Sequence, residues 1–100
     1  MKKEVFTALM DVVANRFDLS PSQMLTKTKS RTIVDARQIL WWVAKKRNIR
    51  VVAQQEYLKD MGFDVTHSTI IHGIKQAQKL IDADPDYKKL INDVRGSNVA

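Results

Sequence analysis

Apolar residues recur three and four positions apart along most of the chain, and no segment alternates apolar and polar residues as a half-buried strand does. This spacing predicts long helices over residues 3–17, 33–48, 51–61 and 67–82. Only three glycines and two prolines interrupt it. The pattern therefore indicates an all-α protein, a compact bundle of about six helices once two shorter helices are added.

Capping residues predict the two shorter helices. Ser20 precedes Pro21 and is followed three positions later by Gln23, which is the arrangement of a capping box with proline at the first helical position. Asp84 and Pro85 form a similar start towards the end of the chain. We expect a second helix after Ser20 and a sixth helix after Asp84.

The first, third and fifth helices each carry an apolar stripe that should face the core. In that order, the stripes are Val5, Phe6, Leu9, Val12, Val13 and Phe17; Ile33, Ala36, Leu40, Val43 and Ala44; and Ile70, Ile71, Ile74, Ala77 and Ile81. We expect Trp41 and Trp42 to pack between helices, because tryptophan is usually largely buried. The alternative for Trp41 is partial exposure between Arg37 and Lys45, which share its face of the third helix.

The fourth and fifth helices, with the turn between them, have the proportions of a helix-turn-helix. Gly62 can end the fourth helix in a left-handed conformation, and Asp64 or Thr66 can cap the fifth. The first turn of the fifth helix then carries hydrogen-bonding side chains at a place where backbone N–H groups are unpaired and the helix dipole favours an anion. Such a turn suits DNA, although simple capping of a helix explains the same residues.

Positive charge is concentrated in one quarter of the chain. The whole chain has a net charge of +6, whereas residues 26–50 contain eight lysines and arginines against one carboxylate, Asp35. These cations are Lys27, Lys29, Arg31, Arg37, Lys45, Lys46, Arg47 and Arg50. A concentration of this kind is typical of nucleic-acid binding, and a solvated basic face is the alternative.

Several classes of protein are disfavoured by what the sequence lacks. There is no cysteine, no Gly-rich phosphate loop and no local carboxylate cluster, while His67 and His72 lie on different faces of one helix and make a poor metal pair. We therefore expect no enzyme activity, no metal and no cofactor. Charged residues interrupt the first apolar run, so we expect neither a signal peptide nor a membrane span, and a cytoplasmic location.

Two segments carry a resemblance to a known family. "LTKTKSRTIVDARQI" is similar to the basic loop and Arg-Gln pair, and "THSTIIHGIKQAQKLI" to the helix-turn-helix signature, of the C-terminal DNA-binding domain of the bacterial replication initiator DnaA. The resemblance covers residues 11–94 and implies a helical bundle that binds double-stranded DNA. The chain departs from the family's Gly-Gly-Arg-Asp at "GFDVT", where Thr66 replaces an acidic base-reading residue, and Lys29 replaces an arginine.

The resemblance also implies which residues contact DNA. Major-groove readers correspond to Thr66, His67, Ser68, Thr69 and His72. Lys29 corresponds to the residue that enters the minor groove, with Lys27 and Arg31 beside it, and Arg37 and Gln38 match the pair that contacts the DNA backbone. We add Lys75 of the fifth helix to the residues expected to contact phosphates.

The favoured hypothesis is sequence-specific binding of double-stranded DNA by a stand-alone monomeric domain over residues 1–95, with a flexible tail over 96–100. It would act in replication initiation or its regulation, in the nucleoid of a bacterium or on behalf of a phage, with replication proteins as further partners. One alternative is a small dimeric transcriptional repressor related in fold to the Trp repressor. Another is a basic module that binds an acidic protein.

Overall fold

The computed structural model describes residues 2–96, and within them the chain forms six α-helices and no strand. The helices are α1 (Lys2–Arg16), α2 (Pro21–Met24), α3 (Arg31–Lys46), α4 (Val51–Asp60), α5 (His67–Ala83) and α6 (Pro85–Arg95). The prediction of an all-α bundle is confirmed. Most of the predicted tail, residues 97–100, lies outside the described residues.

The short helices begin at the predicted caps. The backbone N–H of Gln23 donates to the Ser20 hydroxyl at 3.3 Å, and the Gln23 side chain accepts from the Ser20 N–H at 2.7 Å, which completes the capping box. At the start of α6, the Asp84 carboxylate accepts from the Asp86 N–H at 2.9 Å. Local sequence is therefore sufficient to fix both starts.

The third helix begins and ends two residues earlier than the sequence pattern predicts. Arg31 is already helical, so it lies in the first turn of α3 and not in the basic loop. At the other end Asn48 has a φ of 64°, a left-handed conformation that asparagine tolerates and that a continuing helix does not allow. Because α3 ends at Lys46, a short turn at residues 47–50 leads into α4.

The core is built around α3, which packs against α1, α2, α4 and α5. Its buried residues run without a break over 39–44 and include Leu40, whose side chain is 1% exposed. Two details of the predicted core face were wrong: Ile33 is only half-buried, whereas Ile39, which the stripe omitted, is fully buried. Ile33 lies in the first turn, before the segment that the other helices surround.

The other predicted stripes lie on the core side of their helices, although several members are at its edge. Val5, Val12, Phe17, Ile71 and Ile74 are half-buried and pack against the core. The remaining predicted residues of α1 and α5 are buried: Phe6, Leu9, Val13, Ile70, Ala77 and Ile81. Helical periodicity thus identified the correct face of both helices.

Helices α3 and α5 approach each other closely at Gly73. Trp41 and Trp42 are both buried, at 4% and 6% exposed, so the packing interpretation is confirmed and Trp41 is not partly exposed. A Cβ atom on Gly73 would lie 2.5 Å from Cζ3 of Trp41 and closer still to Cε3. Glycine therefore lets the indole of Trp41 lie directly against the backbone of α5. Trp42 donates to the Gln78 side chain at 2.8 Å.

No helix among residues 2–96 has the length and apolar content of a membrane-crossing segment.

Candidate nucleic-acid interface

The turn between α4 and α5 brings the start of α5 to the surface. Gly62 has a φ of +86°, and the Phe63 N–H bonds back to the Leu58 carbonyl at 2.9 Å, which closes the end of α4. Phe63 is 5% exposed and anchors the turn in the core. This is the predicted helix-turn-helix arrangement, with α5 as its second helix.

Thr66, and not Asp64, caps α5. The Thr69 N–H donates to the Thr66 hydroxyl oxygen at 3.1 Å, and the two threonine hydroxyls are 2.8 Å apart. The first turn that follows presents His67, Ser68 and Thr69, all exposed to solvent. The unpaired N–H groups of this turn and the hydroxyls beside them form a donor-rich surface suited to an acceptor or an anion.

The basic loop, residues 25–30, is held by hydrogen bonds of its own. The Thr26 hydroxyl donates to the Gln23 carbonyl at 2.7 Å, and the Ser30 N–H donates to the Thr28 hydroxyl at 3.2 Å. Lys27 and Lys29 alternate with these residues and are exposed. The loop therefore presents its two ammonium groups to solvent while its threonines fix its backbone.

Arg37 reaches from α3 to the backbone of the loop and of the last residue of α2. Its guanidinium donates to the carbonyl oxygens of Met24 at 3.3 Å and Thr28 at 3.5 Å, and also to that of Thr26. Burial lowers the pKa of Arg37 from its ordinary value, although an arginine stays charged at any physiological pH. The other two N–H groups of the guanidinium, one at Nη2 and one at Nε, are not used in these three bonds.

A groove of about 400 Å³ joins the basic loop to the start of α5. Its walls come from both elements and from the turn: Lys27, Thr28, Lys29, Arg37, Phe63, Asp64, Val65, Thr66 and Thr69. We call this the central groove. It brings the loop cations and the α5 hydroxyls, which are far apart in sequence, to one surface.

Two further grooves lie along the sides of α5 and contain the other candidate residues. His72 and Gln38 share a groove of about 440 Å³ with Arg31, between α3 and α5. His67 and Lys75 line another of about 420 Å³, next to the start of α4. The two histidines thus lie in separate grooves, and within residues 2–96 no three His, Asp or Glu side chains come together as a metal site.

Sequence reasoning missed two residues that shape this surface. Phe63 lines the central groove and supports Arg37 with its ring, and Gly73 sets the distance between α3 and α5. A glycine inside a helical pattern is itself a signal of close approach, so Gly73 could have been singled out. The packing of Phe63 against a residue of α3 has no signal in a single sequence.

Comparison with known families decides the relationship of this chain. The family model described as the bacterial dnaA protein helix-turn-helix matches residues 6–77, which include the basic loop, α4, the turn and the first part of α5. The chain belongs to this DnaA helix-turn-helix family. The resemblance that the two sequence segments indicated is thereby confirmed, and membership implies a DNA-binding type of domain.

Several curated relatives of the chain are replication initiators by name. The chain is 29% identical over 87 residues to the chromosomal replication initiator protein DnaA of Aliarcobacter butzleri, covering 87% of the chain and 19% of that protein. It is 30% identical over 84 residues to the DnaA of Lachnoclostridium phytofermentans, covering 84% and 18%. The chain thus spans about a fifth of the length of the DnaA relatives it matches. No solved structure gives a significant match.

Proposed function

We propose that this chain binds double-stranded DNA in a sequence-specific manner, with the first turn of α5 in the major groove and the basic loop in the adjacent minor groove. The observation that carries the proposal is the central groove, which puts the loop cations and the α5 hydroxyls on one surface. Polar side chains at the N-terminal end of a recognition helix can reach base edges, and cations beside that helix can contact the DNA backbone and the minor groove.

The proposed base-reading residues are Thr66, His67, Ser68, Thr69 and His72, all of them exposed. Their side chains can donate to and accept from base edges, and threonine methyl groups can meet thymine methyl groups. The Thr66 oxygen already accepts from the Thr69 N–H, so we expect Thr66 to read mainly through its methyl group. His72 lies one turn further along α5 and would reach the edge of the site.

The proposed contacts to phosphates and the minor groove come from Lys27, Lys29, Arg31, Arg37, Gln38 and Lys75. They lie on the three grooves around α5, so together they can track a duplex on both sides of the helix. Lys29 supplies charge to a narrow minor groove without the planar fork of an arginine. The carboxylate of Asp64 is outnumbered by three cations in the central groove.

We further propose that the chain works as a monomer in replication initiation or its regulation, in the bacterial cytoplasm and in contact with replication proteins. The names of its relatives support the process. Among the described residues, Val52 is the one large apolar side chain that is strongly exposed. That is far short of the apolar face that an obligate dimer buries, which argues for a monomer.

Selection of bound sequences from a pool of random duplexes tests the proposal. We expect one defined motif without an inverted repeat, since a dimeric repressor would select two half-sites. With about five phosphate contacts, the logarithm of affinity for that motif should fall with the logarithm of salt concentration at a slope of about −4 to −5. For the salt dependence, the control variant is Lys88→Ala, because this exposed lysine of α6 lines none of the three grooves.

The outcomes separate the candidate functions. A Lys29→Ala variant should flatten the salt slope by about one, whereas Lys88→Ala should leave it unchanged. A flat salt dependence in the parent, or a pool from which no motif emerges, would contradict specific DNA binding. Binding to an acidic protein with weak competition from DNA would favour the interaction module instead.

A further inference from the structure

The buried ring of Phe63 faces two cations of the DNA-binding surface. The Arg37 guanidinium lies 5.1 Å from the ring centroid, and Lys27 Nζ lies 5.8 Å from it. Both distances are within the range in which a cation is attracted to an aromatic face. Phe63 belongs to the turn of the helix-turn-helix, whereas Arg37 comes from α3 and Lys27 from the basic loop.

The same guanidinium holds the loop from the inside. Its Nη1 donates to the carbonyls of Met24 and Thr26, and its Nη2 donates to that of Thr28. These three carbonyls lie on alternate residues along the backbone that leads into and through the loop. A planar fork can serve them together, which a lysine ammonium on a flexible stem cannot do. Arg37 therefore connects the loop backbone to the Phe63 ring.

We propose that Phe63 and Arg37 are positioning residues that hold the basic loop at a fixed distance from the first turn of α5. We call this pair the loop clamp. The proposal rests on the proposed DNA binding and deepens it: the clamp makes the minor-groove and major-groove contacts fall at one spacing on the duplex. Because the clamp already orders the loop in the free protein, DNA binding does not have to offset the conformational entropy lost in ordering it.

Phe63 stands in "GFDVT", the segment where the chain departs from the Gly-Gly-Arg-Asp pattern that the family resemblance would place there. A glycine has no ring to place beneath a guanidinium. The contact with Arg37 therefore needs an aromatic residue in this turn.

A first experiment needs no DNA. Trypsin cleaves after Lys27 and Lys29 only when the loop backbone opens, so the rate of these cuts under native conditions reports how firmly the loop is held. Phe63→Leu keeps an apolar core side chain and removes the aromatic face, and Arg37→Lys keeps the charge and removes the fork. We expect both variants to be cut at these two sites about ten times faster than the parent.

The control is Val13→Ala, which opens a cavity under α1 far along the chain from the clamp. It should lower the melting temperature while leaving the two loop cuts at the parent's rate. Loop cleavage that is unchanged in both clamp variants would overturn the proposal. So would cleavage that rises equally in Val13→Ala, because the effect would then come from general loss of stability.

A second experiment uses the motif selected by the parent. At positions read in the minor groove, replacing A·T with inosine·cytosine keeps the minor-groove face free of the guanine amino group, whereas G·C introduces it. The parent should tolerate the first change at loop positions and lose about tenfold in affinity with the second. The clamp variants should tolerate both there and keep their discrimination at the positions read by α5.

The possible results distinguish the clamp from the function it serves. Suppose that the parent selects a motif and that the clamp variants discriminate between base pairs as the parent does at every position. This result would overturn the clamp and leave the proposed DNA binding intact. Discrimination that weakens evenly along the whole motif would also overturn it, since a loss of folded protein acts in that way. If the parent selects no motif, the proposed function is overturned. The proposal that the clamp sets the spacing of the DNA contacts is then overturned with it.

Discussion

The two faces of α5 differ in what they contact: one packs in the core and the other is exposed to solvent. Towards α3, the helix buries Ile70, Gly73 and Ala77, and the indole of Trp41 lies against its backbone. Towards solvent, the first turn presents polar side chains held by a threonine cap. Shape complementarity fixes the first face and hydrogen bonding the second, so substitutions on the two faces should affect different measurements.

The largest effect is expected in the core of α3. Leu40→Ala should lower the free energy of unfolding by about 2 to 5 kcal/mol, because Leu40 is 1% exposed and its neighbours cannot fill the cavity. The matched control is Val52→Ala, at a side chain that is 54% exposed, where a change within about 0.5 kcal/mol is expected. Urea unfolding measures both. Equal losses would show that α3 is not the centre of the core.

The crossing of α3 and α5 should respond to one added carbon. Gly73→Ala should destabilise the protein by about 1 to 3 kcal/mol despite the better helix propensity of alanine, since the new Cβ would overlap Trp41. His72→Ala, on the exposed side of α5, should leave the stability nearly unchanged. Thermal melts of the two variants and the parent measure both effects. A stabilised Gly73→Ala variant would mean that the helices can separate at no cost.

The exposed face should respond in binding and not in stability. His67→Ala and Thr69→Ala should each lose about 1 to 3 kcal/mol of binding free energy on the preferred duplex and narrow the difference from random DNA. Arg37→Ala should weaken binding to both duplexes, and its loss of discrimination should be confined to the positions read by the loop. Thermal melts check folding, since Thr69 also meets the Thr66 cap. If the first two variants, still folded, bind both duplexes as the parent does, this turn is only a well-capped helix start.

The smallest effect is expected at the hydrogen bond that joins α6 to α3. Tyr87 of α6 donates to the Asp35 carboxylate at 3.1 Å, and Asp35 also pairs with Arg31 at 3.5 Å. Tyr87→Phe should cost about 1 kcal/mol, the net value of a typical hydrogen bond. DNA affinity should be unchanged, because Tyr87 lines none of the three grooves and Asp35 keeps its ion pair with Arg31 in this variant.

The same contact has a pH dependence. Burial raises the pKa of the Tyr87 hydroxyl, and the Asp35 carboxylate raises it further. The neutral phenol is therefore favoured in the folded state, so its contribution is complete below the ordinary tyrosine pKa of about 10 and is lost as pH rises through the higher folded pKa. Urea unfolding at increasing alkaline pH should show this extra loss in the parent and not in Tyr87→Phe.

The features that the sequence predicted well are those decided within a few residues. The caps at Ser20 and Asp84, and Thr66 as one of two candidates at α5, depend on side chains next to the backbone they satisfy. The choice between Ile33 and Ile39 as core residues could not be made in this way. Periodicity identifies a face, but where neighbouring helices begin to enclose it depends on the whole fold.

The parts of the site that sequence reasoning missed depend on contacts between distant segments. Arg37 was assigned to the DNA backbone by family resemblance, and nothing local to it indicates that it also holds the carbonyls of the basic loop. Its neighbour Phe63 lies in a turn that periodicity leaves undescribed. The DNA contacts themselves stay predictions, whereas the surface that would make them is now defined by residues from α3, α5 and the loop.

The contact of Gly73 with Trp41 also constrains how this chain can vary. Two positions on different helices behave as one steric unit, because a side chain at residue 73 and a full indole at residue 41 cannot occupy the same space. Any descendant that gains a larger residue at one of them should first lose volume at the other. In a library randomised at both positions and sorted for folded protein, the survivors should therefore trade size between the two helices.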